Sequence, residues 1–154
     1  MKNSTIRSAT SNDLSAIKAL IDATALFPSA FLDDMFSPDS IPQENQEFWL
    51  TYDEEGVRAV IYCAPEPMTQ GTWNVLLIAV HPDYQGSGIG QQLMSRVETL
   101  LKSLTIRVVL VETSGTDDFS RTRSFYEKIG YTNEARIRDY YEPGDDKVIF
   151  RKAL

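Results

Sequence analysis

The residues Gln85-Gly86-Ser87-Gly88-Ile89-Gly90 follow an apolar run, Val75 to Val80, that is closed by His81-Pro82-Asp83-Tyr84. An uninterrupted apolar run of this length reads as a buried strand. The glycines read as a loop, and Gln91-Gln92-Leu93-Met94 as the start of an amphipathic helix. Strand, glycine loop and helix start together aim backbone N–H groups at one point, at the positive end of a helix, and such a point binds phosphate. Glycine suits it because N–H groups then approach a ligand without a Cβ in the way. A second chemical feature is Glu112, at the end of the apolar run Ile106 to Val111. A carboxylate there is costly unless it is used or paired. Val108, Leu110 and Glu112 share one strand face, and Val109 and Val111 the other.

These groups need a scaffold. The chain has 154 residues, 42% of them hydrophobic, which suits one domain with a real core. The net charge of −7 argues against a nucleic-acid partner, which would require a basic patch. No apolar run approaches the roughly 18 residues of a membrane span, and the N-terminus lacks a signal-peptide core. The cytoplasm is the expected compartment. One cysteine, Cys63, excludes an internal disulfide, and in Val60-Ile61-Tyr62-Cys63-Ala64 it reads as a buried structural thiol. With a single histidine, a zinc site of nitrogen and sulfur ligands is not expected. That histidine, His81, precedes Pro82 at the mouth of the loop and reads as structural.

Along the chain, Ser4 to Ala9 reads as a strand. Thr10 or Ser11 then caps a helix carrying Leu14, Ile17, Leu20 and Ile21 at helical spacing. The proline-broken stretch Ala25 to Ile41, with a short helix over Ala30–Phe36, is expected over a substrate cleft, partly as a mobile lid. Glu47–Tyr52 and Val57–Ala64 form a hairpin around Asp53-Glu54-Glu55-Gly56. Thr72–Val80 precedes the loop. The helix after the loop buries Ile89, Leu93, Val97, Leu100, Leu101 and Leu104. The β-branched run Ile106–Glu112 reads as a central buried strand. Ser120–Ile129 is helical and stops at Gly130. Tyr131–Arg138 and Lys147–Lys152 end the chain as strands around a Pro143–Asp146 turn. This order predicts an α/β domain over residues 1–154, a mixed central sheet of about six to seven strands flanked by helices.

A dinucleotide loop, G-x-G-x-x-G, needs its third glycine at Gln91 or Leu93, and both positions fail. Glu112, about twenty residues on, stands where a Rossmann fold places its ribose-binding acid, but the failed spacing outweighs it. The spacing Gln85-x-x-Gly88-x-Gly90 instead resembles the acyl-CoA pyrophosphate loop of the GCN5-related N-acetyltransferase (GNAT) superfamily. Ser124-Phe125-Tyr126-Glu127-Lys128-Ile129-Gly130-Tyr131 resembles that family's Phe/Leu-Tyr-x-x-x-Gly-Phe/Tyr motif. The C-terminal half is similar to the ribosomal-protein N-terminal acetyltransferases.

The resemblance implies acetyl transfer from acetyl-CoA to a primary amine, of a small molecule or a peptide N-terminus, by direct transfer in a ternary complex. It implies that Ile78, Ala79 and Val80 hold the pantetheine arm, and that Gln85, Gly86, Ser87, Gly88, Ile89 and Gly90 hold the phosphates. A strand amide near Ala79 or Val80 would serve the oxyanion. It assigns Tyr126 as the acid and Glu112 as the base, acting through water, against the plain alternative of an ion pair at the strand end. Tyr140 and Tyr141, in Arg136-Ile137-Arg138-Asp139-Tyr140-Tyr141, would border the acceptor. The Thr113–Thr122 connection lacks the asparagine that those relatives carry, which leaves Arg121 or Arg123 for CoA phosphate. No metal is implied, and a homodimer is one assembly open to the family. A non-catalytic acyl-CoA sensor on the same scaffold is the alternative, and a nucleotide-dependent oxidoreductase a third reading.

Overall fold

A computed structural model describes residues 3–154. Seven strands form one sheet: β1 (Thr5–Ser8), β2 (Phe48–Asp53), β3 (Val57–Pro65), β4 (Thr72–Val80), β5 (Val108–Ser114), β6 (Thr132–Glu142) and β7 (Asp145–Ala153). The spatial order is β1-β2-β3-β4-β5-β7-β6. Only β4 and β5 run parallel, and every other neighbouring pair is antiparallel. The helices are α1 (Leu14–Thr24), α2 (Leu32–Met35), α3 (Ile89–Ser103) and α4 (Ser120–Lys128). Two apolar clusters cover the two faces. One joins Leu93, Val97 and Leu101 of α3 and Tyr126 of α4 to Trp73, Val75, Val109 and Val111. The other joins Ile17, Leu20 and Ile21 of α1 and Leu32 of α2 to Trp49, Val60, Leu77 and Ala79.

The expected elements are present, with three shifts. β5 begins at Val108 rather than Ile106, because Ile106 N–H donates to the Leu101 carbonyl and so closes the end of α3, after a left-handed turn at Thr105. β5 is interior in the sheet order, yet it is not buried on both faces. Val109 and Val111 are buried, while Val108, Leu110 and Glu112 are only half-buried. The final hairpin is longer than expected, with β6 reaching Glu142 and the turn shortened to Pro143-Gly144. Within β6, residues 138–141 lie in a bulge, since pairing with β7 jumps from Ile137↔Lys147 to Glu142↔Asp145. Asp139 takes a left-handed conformation there, held by its N–H to Asp146 Oδ1 at 3.0 Å and by Gly144 N–H to its own Oδ1 at 2.9 Å.

β4 carries the irregularity that shapes the molecule. Tyr62 pairs with Leu77 and Cys63 with Val75, so Leu76 is an extra residue on β4. A bulge of this kind bends and twists its strand. On the other side of β4, pairing with β5 ends at the same point, with Val75↔Val111 as the last rung. Beyond it the two parallel strands part.

At the far edge of the sheet, Arg7 of β1 bridges Asp13 (2.7 Å) and Asp53 (2.9 Å). Asp13 also accepts the Thr10 N–H at 2.7 Å, which fastens the start of α1 to the sheet. The Arg7 guanidinium holds the Asp13 carboxyl below its ordinary range against the opposing effect of burial. A depressed folded-state pKa gives stability that is present above the ordinary carboxylate range and lost as pH falls. Asp13→Asn is therefore expected to lower the unfolding free energy by about 2 kcal/mol at pH 7. In urea titrations the gap between variant and parent should close below about pH 4. A gap independent of pH would refute the linkage.

Candidate active site

The parting of β4 from β5 opens a cleft of about 430 Å³ through the sheet. Its walls are Val75 to Ile78 of β4 and Val111 to Ser114 of β5, with Tyr126, Phe119 and Thr122 from the α4 side. Leu26 and Phe27, from the segment after α1, and Tyr141 and Asp145, from the final hairpin, complete it. The stretch expected over a cleft thus contributes to its mouth, and Phe27, Met35 and Phe36 pack on the second apolar cluster.

Backbone polarity inside the cleft follows from the register. His81 N–H donates to the Arg58 carbonyl, and Val60 lies opposite Ala79. Strand alternation then turns the polar groups of Ala79 toward β3 and those of Ile78 and Val80 toward the open edge. Of the two expected oxyanion donors, Ala79 is therefore already engaged and Val80 is not. The Val80 carbonyl accepts from Gln85 Nε2 at 3.0 Å. Gln85 thus braces the loop against the strand end.

Gly86 and Gly88 have φ of +78° and +87°, and an added Cβ would meet nothing within 4 Å at either position. They are glycines for backbone conformation, not for lack of space. Gly90 has an ordinary φ, and its Cβ would touch only Phe125, at 3.5 Å. Gly88 precedes α3 with no side-chain cap. Among the described residues nothing accepts from the N–H groups of Gly86 to Gln91, whereas Gln92 N–H donates to the Gly88 carbonyl. A fan of unshared N–H groups at a helix start, in open space, fits a pyrophosphate. His81 is structural as expected. Its Nδ1 accepts from Asp83 N–H at 3.1 Å, and its ring meets Tyr84 edge-on.

Glu112 sits one residue past the last β4–β5 rung, its side chain 20% exposed. Oε1 accepts from Asn74 Nδ2 at 2.9 Å, and Oε2 faces Lys147 Nζ at 2.7 Å. Asn74 also donates to Glu66 Oε1 at 2.8 Å. The ion pair weighed against the catalytic reading therefore exists, and its partner is lysine. Each carboxylate oxygen still has a lone pair available. Lys147 lies 4.1 Å from the Tyr140 ring centroid, and its pKa is raised. Burial opposes that rise, but the bonds to Glu112 and Tyr140 outweigh it.

Tyr126 approaches from the opposite face, 2% exposed, its ring packed on Phe125, Tyr131 and Phe150. Burial pushes its phenol pKa well up, so it keeps its proton. Tyr140 and Tyr141 meet edge-on and are about half exposed, carried by the β6 bulge. Tyr141 reaches the cleft and its phenol is raised, by burial first and then by Glu112. Arg123 is not available to phosphate. It donates to the Ser114 and Thr116 carbonyls at 2.8 and 2.7 Å and braces the turn into α4. Arg121 is exposed. Cys63 is fully buried, its thiol pushed up by burial.

Asn74, Glu66 and Lys147 do not stand out in the sequence as partners of this site. The available signal was Asn74 itself, a polar residue between Trp73 and Val75 in an apolar strand, 2% exposed in the fold. Its Oδ1 is buried without a partner among the described residues.

Residues 44–133 match the family described as "Acetyltransferase (GNAT) domain". A curated relative from Prochlorococcus marinus, "Uncharacterized N-acetyltransferase ycf52-like", is 41% identical over 76 residues. That match covers 48% of this chain and 37% of the relative, so it spans little more than a third of that protein. A crystal structure of a GNAT-family protein from Desulfovibrio desulfuricans superposes with a TM-score of 0.84 at 26% identity, covering 98% of this chain and 99% of that one. The ribosomal-protein-S18-alanine N-acetyltransferase of Escherichia coli shares the fold, with a TM-score of 0.80 at 20% identity over 99% and 94% of the two chains.

The two kinds of loop glycine respond differently to a methyl group. Gly88→Ala is expected to lower the unfolding free energy by about 1–2 kcal/mol, the cost of a left-handed residue with a Cβ. Gly90→Ala should leave stability unchanged or raise it by up to about 1 kcal/mol. Equal losses in denaturant titrations would contradict the observed conformations.

Proposed function

The chain belongs to the GNAT acetyltransferase family, and from that membership we propose that, acting as one domain, it transfers an acetyl group from acetyl-CoA to a primary amine. The acceptor is a small molecule or a peptide N-terminus, and transfer is direct, within a ternary complex. The observation that carries the reading is the through-sheet cleft, with a protonated phenol on one face and a carboxylate on the other.

Acetyl-CoA supplies an activated acyl group as its thioester. The unshared N–H groups of Gly86, Ser87, Gly88, Ile89 and Gly90 would hold its pyrophosphate, with Gln85 holding the loop. The open edge of β4 at Ile78 and Val80 would hold the pantetheine arm, with Ala79 between them, buried against α1, holding that stretch of β4 to β3. The amine enters from the face where Tyr140 and Tyr141 stand. An amine is an ammonium at neutral pH, so a proton must leave before attack. Glu112 takes it, directly or through water, on the lone pairs that Asn74 and Lys147 leave free. The Val80 N–H faces the open edge and can receive negative charge on a carbonyl oxygen. Tyr126 donates its proton toward the departing sulfur. Cys63 is buried, and no other thiol exists to carry the acyl group.

Calorimetric titration should give micromolar binding of acetyl-CoA and none of NAD. Failure of acetyl-CoA and free CoA to bind would sink the proposal, and binding without turnover of any amine would favour a sensor. Glu112→Gln should lower kcat on the order of a hundredfold, with the loss greatest on the plateau above the acidic limb of the pH profile. Tyr126→Phe should lower kcat on the same order with CoA affinity intact. Unaltered turnover in either variant would remove that residue from the mechanism.

A further inference from the structure

We propose that the acceptor is a primary amine carried on an apolar aliphatic or aromatic group, with no carboxylate or phosphate beside the nitrogen. This rests on the acetyl-transfer reading above. The two faces of the cleft are lined differently. Tyr126, Phe119 and Thr122 approach from the α4 face. The opposite face presents Leu26, Phe27, Leu76 and Tyr141 around Glu112 and Asp145. Leu26, Leu76 and Tyr141 are 39%, 47% and 48% exposed, so apolar surface lies uncovered at the mouth. Such surface marks a place where an apolar group docks.

The charges are one-sided. Glu112 and Asp145 are the charged residues of the lining, and both are acids. Asp145 is held in place by the Ser114 hydroxyl at 2.5 Å. Among the described residues, no lysine or arginine lines the cleft. Two cations beside the cleft, Lys147 and Arg123, are already engaged. Lys147 is bound to Glu112 at 2.7 Å and stacked on Tyr140. Arg123 is bound to two carbonyls. An ammonium entering here meets carboxylates and aromatic faces, which attract it. A carboxylate beside that ammonium would be desolvated next to like charges with no partner, a penalty that discriminates strongly. The net charge of −7 steers in the same direction.

Free alkyl- or arylalkylamines and peptides with an apolar first residue share this chemistry, and the assay can separate them. Thiol release by the intact protein with acetyl-CoA would be measured with phenethylamine, with phenylalanine (the same amine bearing a carboxylate), with glutamate, and with peptides beginning in leucine. kcat/KM for phenethylamine or the peptides should exceed that for phenylalanine and glutamate by at least about tenfold. The larger of the first two values names the source. In Asp145→Asn the discrimination against phenylalanine should shrink several-fold, and in Phe27→Ala the KM for phenethylamine should rise with kcat retained. Equal or better turnover of phenylalanine or glutamate would overturn the inference while leaving acetyl transfer standing. Acetyl-CoA binding without thiol release from any amine would overturn both.

Discussion

The structure depends on one broken rung. Val75 and Val111 are the last paired residues of the parallel strands β4 and β5, and Leu76, the next residue on β4, is a bulge against β3. An inserted residue adds twist to the strand that carries it. β4 therefore turns away from β5 while still paired to β3. A sheet interior normally leaves no free backbone donors. Here the parting frees the edge of β4 at Ile78 and Val80 and opens a passage between the two faces. Two groups can then approach one point from opposite sides of the sheet.

The side chains around the break reinforce it. Asn74 lies one residue below the last rung and spans from Glu112 on β5 to Glu66, at the link between β3 and β4. Lys147 reaches Glu112 from β7. The carboxylate is thus held from two strands at the point where the sheet no longer holds itself. At the far end of β4, Gln85 ties the loop to Val80 and His81 closes the turn onto Asp83. The unshared N–H groups of the α3 start are presented by a braced loop. Rigid support of this kind turns a set of polar groups into a site.

Much of this was legible in the residue order. The glycine spacing after an apolar strand announced the loop into α3, because a left-handed backbone at Gly86 and Gly88 costs a residue with a Cβ about 1–2 kcal/mol. Helical spacing in Ile89, Leu93 and Val97 announced α3, where these three residues and Leu101 are buried. The start of β5 was less legible. Ile106 has strand propensity, but its N–H is taken by the Leu101 carbonyl at the end of α3, so a local helix-capping hydrogen bond overrode propensity. The bulges at Leu76 and at residues 138–141 leave no clear mark in the sequence. Composition does not change there, and what changes is the pairing with a neighbouring strand. Arg123 looked free for phosphate because its carbonyl partners lie seven and nine residues away across a turn.

The sequence by itself determined the local grammar: which segments become strands and helices, where the glycine loop lies, and which phenol and carboxylate stand at element ends. These follow from short-range sterics and from hydrophobic periodicity, which act within a few residues. Tertiary structure alone decided that Glu112 is clasped by Lys147 and Asn74, that Ala79 faces β3 while Val80 faces the cleft, and that acids and apolar groups share the mouth of the cleft. Those facts depend on register between strands distant in sequence, and a shift of one residue would reverse each of them.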